Sequence, residues 1–360
     1  MIIKDVRVKL LRLPYLEQPA FQAGYDRDRE ILAVEIETAS GHVGLGYQLF
    51  LGSGFRTAKA CLEEIMIPRI IGRNASDVEA IWRDLWKCCY ADGRMGINML
   101  AQSVIDVALW DVVGQAAGLP LHRLWGHYRS ELPVYGSGCW RGTGGDGMVE
   151  KAQRFVAQGY KAVKMQVGHI WDDATDIDNV RRVREAVGPY VDIMVDVNMA
   201  WTADKAILMG RRLADYAIYW LEEPVIADDF AGYFRIADAL DIRIAGGENH
   251  FTRYNMIPFF ENPKIPILQP DVARGGLTEL RKIAAIADTW GLQIAPHLYP
   301  ELMVHILASI PNGLILENME FLDDIWESWP TPVNGLMKAP ETPGHGLKIK
   351  SEIVTDCLVG

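Results

Sequence analysis

Residues 191–249 decide how this chain folds: VDIMVDVN (191–198), YWLEEPV (219–225) and IRIAGGEN (242–249) are short apolar, β-branched runs, each closing on acid. Asp196, Glu222 and Glu248 therefore stand 26 residues apart, with a helix-like segment between each pair. That is about the length of one buried strand plus its returning helix, since a barrel of roughly 250 residues divides into eight such units. Acids at the same end of successive parallel strands converge on one mouth. Three carboxylates in so apolar a setting repel one another unless a hard cation stands between them. The spacing predicts a divalent-metal site.

Working outward, the same rhythm runs from Leu132 onward. LPVYGSG (132–138), AVKMQVG (162–168), KIPILQPDV (264–272), LQIAPHLY (292–299) and GLILENME (313–320) bring the apolar runs to eight. Helical segments at 148–159, 176–187, 202–215 and 278–290 separate them, with Thr202 and Thr278 placed as caps. Crossovers of this length force parallel pairing, so the pattern predicts a closed parallel barrel. An open doubly wound sheet is the alternative. It is disfavoured because no glycine fingerprint for phosphates follows the first strand.

Ahead of the barrel, residues 2–13, 30–38 and 43–49 alternate apolar and polar side chains, as half-buried antiparallel strands do. Helical periodicity follows over 56–71 and 76–90, the second capped by Asn74 or Ser76, and then over 95–117, closed by Gly118. Trp82, Trp86 and Trp110 read as core. The polar stretch 14–29, with Phe21 and Tyr25, and the stretch 50–55, ending in Phe55, read either as plain surface loops or as flaps that close over a pocket. The tail from Trp329 is rich in Pro and Gly, ends in a strand-like LKIKSEIV, and is expected to return to the N-terminal part.

Composition narrows the function. At 360 residues, 49% hydrophobic and 23% charged, the chain has the make-up of a globular enzyme with room for two domains. A net charge of -11 argues against nucleic acid or an anionic membrane as partner. No window holds 18 uninterrupted apolar residues, and MIIKDVRVKL reads as a strand and not a signal peptide. The five cysteines lack metal-ligand spacing, and the adjacent Cys88 and Cys89 suit reduced thiols, which points to the cytoplasm.

The strand ends carry more than the three acids. Lys164 and Gln166 share one face of the second run, Asp271 ends the sixth, His297 the seventh, and Glu317 lies in the eighth. A lone histidine or glutamate beside a strand is more often a satisfied core group than a catalyst. Ionisable groups at seven consecutive strand ends reverse that reading, because barrel active sites sit there.

These runs also carry a resemblance. AQSVIDVALWDVVGQAAGLPLHRLWG (101–126), GYKAVKMQVG (159–168), DVN (196–198), EEP (222–224), GEN (247–249), PDVARGGLTE (270–279), PHLYPE (296–301) and PETPGHG (340–346) resemble the enolase superfamily. Glu248 as third acid and the Asp271/His297 pair place the resemblance in its mandelate racemase subgroup. It implies an α/β fold in which a modified TIM-type (β/α)7β barrel, residues 129–325, is joined to an α+β capping domain, residues 1–128, with 326–360 returning to the cap. It implies Mg²⁺ on Asp196, Glu222 and Glu248, and a small carboxylate substrate chelating it. Lys164 would stabilise the negative charge that builds as a proton leaves the carbon next to the carboxylate. His297 would be the general base, oriented by Asp271, and Glu317 would donate a hydrogen bond as a neutral acid.

Gln166, Asn198, Phe21, Tyr25, Trp140 and Arg141 are the expected substrate contacts, with His169 and His250 as weaker candidates. The family usually carries a second lysine where this chain has Gln166, and an amide neither takes nor gives a proton near neutral pH. That favours an acid-sugar dehydratase over a racemase or epimerase of a 2-hydroxy acid, and over a barrel that binds a small acid without turnover. Self-association is common in the family and is expected here.

Overall fold

The structure is a computed structural model and describes residues 1–20, 28–51 and 54–360; Phe21 and Tyr25 lie outside the described residues. Its first three strands, β1 (Ile3–Leu13), β2 (Arg29–Thr38) and β3 (Val43–Phe50), pair antiparallel in that order. β2, paired on both sides, is buried along most of its length. β1 keeps a polar face, where Arg7, Lys9 and Arg12 meet Glu35, Glu37 and Glu30.

The helix expected over 56–71 is broken into Phe55–Cys61, a π-helical turn Leu62–Met66, and Ile67–Ile70. Pro68 sits at the start of the last piece, has no N–H to give the preceding turn, and opens the ladder there. Phe55, expected over the pocket, is instead buried in the cap core under Arg12 and Arg56. The next helix, Val78–Cys88, starts after Asp77; Asn74 accepts from the Ser76 N–H in the turn before it and does not cap the helix.

Helix Ile97–Ala117 joins the two halves. Gly44 and Gly46 of β3 lie so close to its backbone at Ala108 and Val104 that a side chain on either would collide with a carbonyl. On its other side Ser103 donates to the Ala273 carbonyl (2.9 Å) and Asp106 accepts from the Thr278 N–H (2.9 Å) and hydroxyl (2.5 Å). Among the described residues it is the single helix long and apolar enough to cross a membrane, and most of that surface is buried inside the protein.

The barrel follows: β4 (Glu131–Cys139), β5 (Ala162–Gln166), β6 (Asp192–Asp196), β7 (Ile218–Glu222), β8 (Arg243–Gly246), β9 (Ile267–Leu268), β10 (Gln293–Ile294) and β11 (Leu316–Asn318). From β4 to β10 each pairs parallel with the next, and β11 pairs parallel with β4. The Ile294–Gly313 bridge, with Leu314 N–H donating to the Ile294 carbonyl (2.8 Å), joins the last edge to β10. The sheet is closed, which excludes the open doubly wound alternative. Seven helical returns, beginning with Gly144–Ala157 and ending with Pro300–Leu307, make it a (β/α)7β barrel with a capping sheet. β9 and β10 are far shorter than their apolar runs, because Pro266, Pro270 and Pro296 remove ladder donors. Thr202 caps Ala203–Leu213 as expected, whereas Thr278 lies inside Gly276–Thr289 and bonds Asp106.

Tyr135, Ala162, Met194, Trp220, Ala245, Ile267 and Ala295 pack together as an apolar floor inside the barrel. Strand side chains alternate, so the residue two places on points the same way, one layer nearer the mouth. That rule lifts Lys164, Asp196, Glu222, Gln269 and His297 above the floor. In the tail, β12 (Leu336–Lys338) pairs antiparallel with β4. Leu10 N–H donates to the Gly360 carbonyl and Val359 N–H to that of Leu10, which returns the end of the chain to β1. Of the expected strand LKIKSEIV, Ile349 makes one antiparallel bridge to Trp326, and from Ser351 the chain turns into the helix Ser351–Asp356.

Candidate active site

Lys164, at the middle of β5, holds the centre of the mouth. Its Nζ lies 2.6 Å from Glu222 Oε1 and 2.7 Å from Glu317 Oε1, and all three side chains are buried. Burial alone would pull its pKa down, but the carboxylates of Glu222 and Glu317 outweigh it and hold it well above the ordinary value. Burial would raise Glu317 in turn, yet Lys164 and His297 lower it to about 2. Glu317 is therefore a charged acceptor, taking the Leu298 N–H on Oε2 (2.9 Å), and not the neutral donor expected from the sequence.

Asp271 and His297 stand on neighbouring strand ends. His297 Nδ1 is 2.7 Å from Asp271 Oδ2, whose other oxygen accepts from the Ala273 N–H (2.7 Å). A carboxylate can only accept, so Nδ1 carries the proton and Nε2 is left to face the mouth, 3.7 Å from Glu248 Oε2. Burial works against a charged ring here. Glu248 and Asp271 overcome it and raise the His297 pKa to about 10.

The three acids of the opening stretch line the same mouth. Asp196 is raised to about 6 by burial, offset in part by Lys164; Glu222 and Glu248 are raised by burial too, offset by Lys164 and His297 respectively. Asp196 accepts from Asn198 twice, through the backbone N–H and the side-chain amide, both at 2.8 Å. Glu222 accepts from Lys164 and from Trp220 Nε1 (2.9 Å). Glu248 Oε2 is buried with no hydrogen-bond partner.

Among the described residues no three His, Cys, Asp or Glu side chains are already drawn together around a common point, and Glu222 meets Lys164. The donor set nevertheless fits a hard divalent cation. It is all oxygen, its charge is held in a buried site, one oxygen is orphaned, and each hydrogen-bonded carboxylate oxygen keeps a free lone pair. Glu222 Oε1 already meets the Lys164 ammonium, so a cation bound there would compete with Lys164 for it.

The remaining expected contacts divide. Gln166 is buried at the end of β5 with its carbonyl oxygen unpartnered. Arg141, just past β4, is buried, gives one N–H to Asn198 Oδ1, and keeps Nε without a partner. Asn198 is thus held between Asp196 and Arg141. Trp140 is buried and stacks on Phe321 (5.7 Å between centroids). His169 bonds the Asn198 carbonyl (2.8 Å) at the exposed rim. His250 is a core residue, bonded to the Ala227 carbonyl and packed on Phe230 and Phe259.

Four residues near the mouth escaped the sequence reading. Glu223, fully buried, accepts from Asn249 Nδ2 (3.1 and 2.9 Å), and Arg274 donates to the Glu248 carbonyl (3.0 Å) and to Asn249 Oδ1. Gln269 is fully buried with neither amide atom partnered. The EEP doublet and the period-two step from Ile267 were the available signals for Glu223 and Gln269; Asn249 and Arg274 needed the turn geometry.

The chain is similar to known proteins along nearly its whole length. Residues 19–126 match the model of the mandelate racemase / muconate lactonizing enzyme N-terminal domain, and residues 147–353 that of the enolase C-terminal domain-like family. The 3,6-anhydro-alpha-L-galactonate cycloisomerase of Streptomyces coelicolor is 35% identical over 100% of both chains. The arabinonate dehydratase of Saccharolobus solfataricus is 29% identical over 98% of both. The crystal structure of L-talarate dehydratase from Polaromonas sp. JS666, complexed with Mg and L-glucarate, superposes with a TM-score of 0.91 at 33% identity, covering 100% of this chain and 98% of that one.

Proposed function

Because this chain belongs to the mandelate racemase / muconate lactonizing enzyme family, within the mandelate racemase subgroup of the enolase superfamily, we propose that it is a Mg²⁺-dependent acid-sugar dehydratase. It removes the α-proton of an aldonate or aldarate and expels the β-hydroxyl, giving a 2-keto-3-deoxy acid. The observation that carries this reading is the His297–Asp271 pair at 2.7 Å beside three buried carboxylates. A site that only binds does not need a base with a fixed tautomer.

Asp196, Glu222 and Glu248 would hold the Mg²⁺, which supplies Lewis-acid polarisation of the substrate carboxylate. His297 Nε2 takes the α-proton. Its high pKa is sustained chiefly by the charge on Glu248, so neutralising that charge frees the ring to act as a base. Asp271 fixes the ring orientation and stabilises the cation that forms. Lys164, locked between two carboxylates, keeps its proton and meets the charge developing on the substrate carboxylate, an interaction present mainly in the transition state. Glu317 holds Lys164 in place.

His297, once protonated, can return that proton to a β-oxygen leaving from the same face. Gln166 offers the opposite face a hydrogen bond but no proton, which disfavours racemisation. Gln166, Asn198, Trp140 and Arg141 are the proposed substrate contacts. In the same reading, residues 1–128 are the cap, 129–325 the catalytic barrel and 326–360 the returning tail. The protein self-associates and works in the cytoplasm, a compartment that suits its five free cysteines.

A second reading follows from the 35% identical cycloisomerase. If the β-oxygen belongs to an anhydro ring, the same proton abstraction opens the ring and no water is lost. Incubating the Mg²⁺-loaded protein with a panel of aldonic, aldaric and 3,6-anhydro-aldonic acids, and assaying 2-keto acids by mass, separates the two. Dehydration lowers the mass by one water and cycloisomerisation leaves it unchanged. No 2-keto acid from any of them would overturn both.

A further inference from the structure

His297 starts the proposed reaction, yet little regular structure holds its backbone. β10 ends at Ile294, and Pro296 has no N–H to give a neighbouring strand. The His297 N–H reaches the Pro270 carbonyl at 3.3 Å, long for such a bond. Beyond it the chain turns, and Leu298 (φ 53°) and Tyr299 (φ 50°) both take the left-handed conformation that residues with side chains disfavour. Backbone of this kind carries strain and persists only where its surroundings over-determine it.

Those surroundings come from two directions. Within the barrel, the Leu298 N–H donates to Glu317 Oε2 (2.9 Å), and the Tyr299 carbonyl accepts from the Met303 N–H (2.8 Å) at the start of helix Pro300–Leu307. From the cap comes β3, an edge strand of its sheet and so able to offer backbone groups to the barrel. Leu49 N–H donates to the Tyr299 hydroxyl (3.1 Å), and that hydroxyl donates to the Leu49 carbonyl (3.3 Å). The Tyr299 ring is buried and meets the ring of Tyr47 edge-on, 6.0 Å between centroids. Burial holds its phenol pKa well above the ordinary value, so the hydroxyl keeps the proton it gives to Leu49.

We propose that Tyr299 is a positioning residue for the base: its hydroxyl, clamped on Leu49, holds the Leu298–Tyr299 turn and through it the His297 ring against Asp271. The inference rests on the reading of His297 as the base. It makes the placement of that base depend on how the cap sits on the barrel. A phenol that only satisfied an edge strand would leave the ring where it is once the hydroxyl was gone.

Tyr299→Phe removes one oxygen and keeps the ring against Tyr47. The test compares full-length wild type and variant, labelled with ¹⁵N-histidine, by NMR at pH 8. The imidazole signals of His297, assigned by their loss in His297→Asn, should shift or split in Tyr299→Phe while circular dichroism shows an unchanged fold. With an acid of the panel that the wild type turns over, kcat of the variant should fall by roughly 10- to 100-fold, because a misplacement of about 1 Å can cost that much. KM and the Mg²⁺ stoichiometry from calorimetry should stay as in the wild type, which separates a misplaced base from a loss of active molecules. Unchanged His297 signals overturn the proposal whatever the activity does. So does a wild-type kcat in the variant, or a variant that no longer folds, since the phenol would then support the whole fold. If the wild type turns over no acid, the reading of the site fails, while the His297 signals still decide the role of Tyr299.

Discussion

Replacing Lys164 by methionine removes the one cation between two buried carboxylates while keeping the bulk of the stem. At 2.6 and 2.7 Å, each ion pair is worth about 6 kcal/mol of attraction at an effective dielectric near 20. Desolvating the ammonium takes back much of that, and breaking buried pairs costs roughly 3–5 kcal/mol. The metal-free variant should lose about that much stability at pH 8, measured by urea unfolding. The sign follows from Glu317, which Lys164 holds at a pKa of about 2, below its unfolded value. Stability from a depressed carboxylate is full above the unfolded pKa and is lost as pH falls through the folded one. The wild-type advantage should therefore shrink from pH 5 towards pH 2. Releasing Glu222 from Lys164 should leave Mg²⁺ binding, read by titration calorimetry, at least as tight as in the wild type, while turnover is abolished. A stability loss under about 1 kcal/mol at pH 8, or Mg²⁺ binding weakened tenfold, would refute the competition between Lys164 and the cation for Glu222.

Other outcomes follow from the same geometry. Glu222→Gln should remove Mg²⁺ binding and activity together without unfolding the barrel, as circular dichroism and calorimetry would show; full activity in excess EDTA would count against it. Gln166→Ala should raise KM and leave measurable kcat, because the amide binds without transferring a proton. His305, buried and bonded to the His345 carbonyl, has its pKa lowered to about 3 by burial. A lowered histidine loses stability as pH falls below its unfolded value. Relative to His305→Gln, the wild type should thus lose about 2 kcal/mol between pH 8 and pH 5 in urea unfolding. An unchanged difference would mean the ring is charged in the folded state.

Much of the barrel was legible because its chemistry follows a simple period. Asp196, Glu222 and His297 are each two places beyond an inward apolar residue, so the alternation that marks Met194, Trp220 and Ala295 as floor also marks the reactive layer. What could not be read depends on contacts between distant segments. Glu317 looked like a neutral donor because the sequence does not tell that Lys164 sits 2.7 Å away. Thr278 looked like a cap because its partner, Asp106, lies 172 residues earlier in another domain-sized unit. The Glu223–Asn249–Arg274 brace joins three turns, and no local pattern announces it. Phe55 shows the limit of composition: an aromatic beside a glycine-rich stretch reads as a flap, yet helix formation from residue 55 turns it into the cap core.

The central claim is that one base, His297, starts the reaction from one face. The most direct measurement is turnover of an accepted acid sugar by the Mg²⁺-loaded wild type and His297→Asn proteins in D₂O, followed by NMR. The wild type should give the 2-keto-3-deoxy acid with one solvent deuteron at C3 and no C2 epimer of the substrate, and His297→Asn should give neither product nor exchange at C2. Interconversion of two C2 epimers with deuterium entering both, or product formation by His297→Asn at the wild-type rate, would contradict the account.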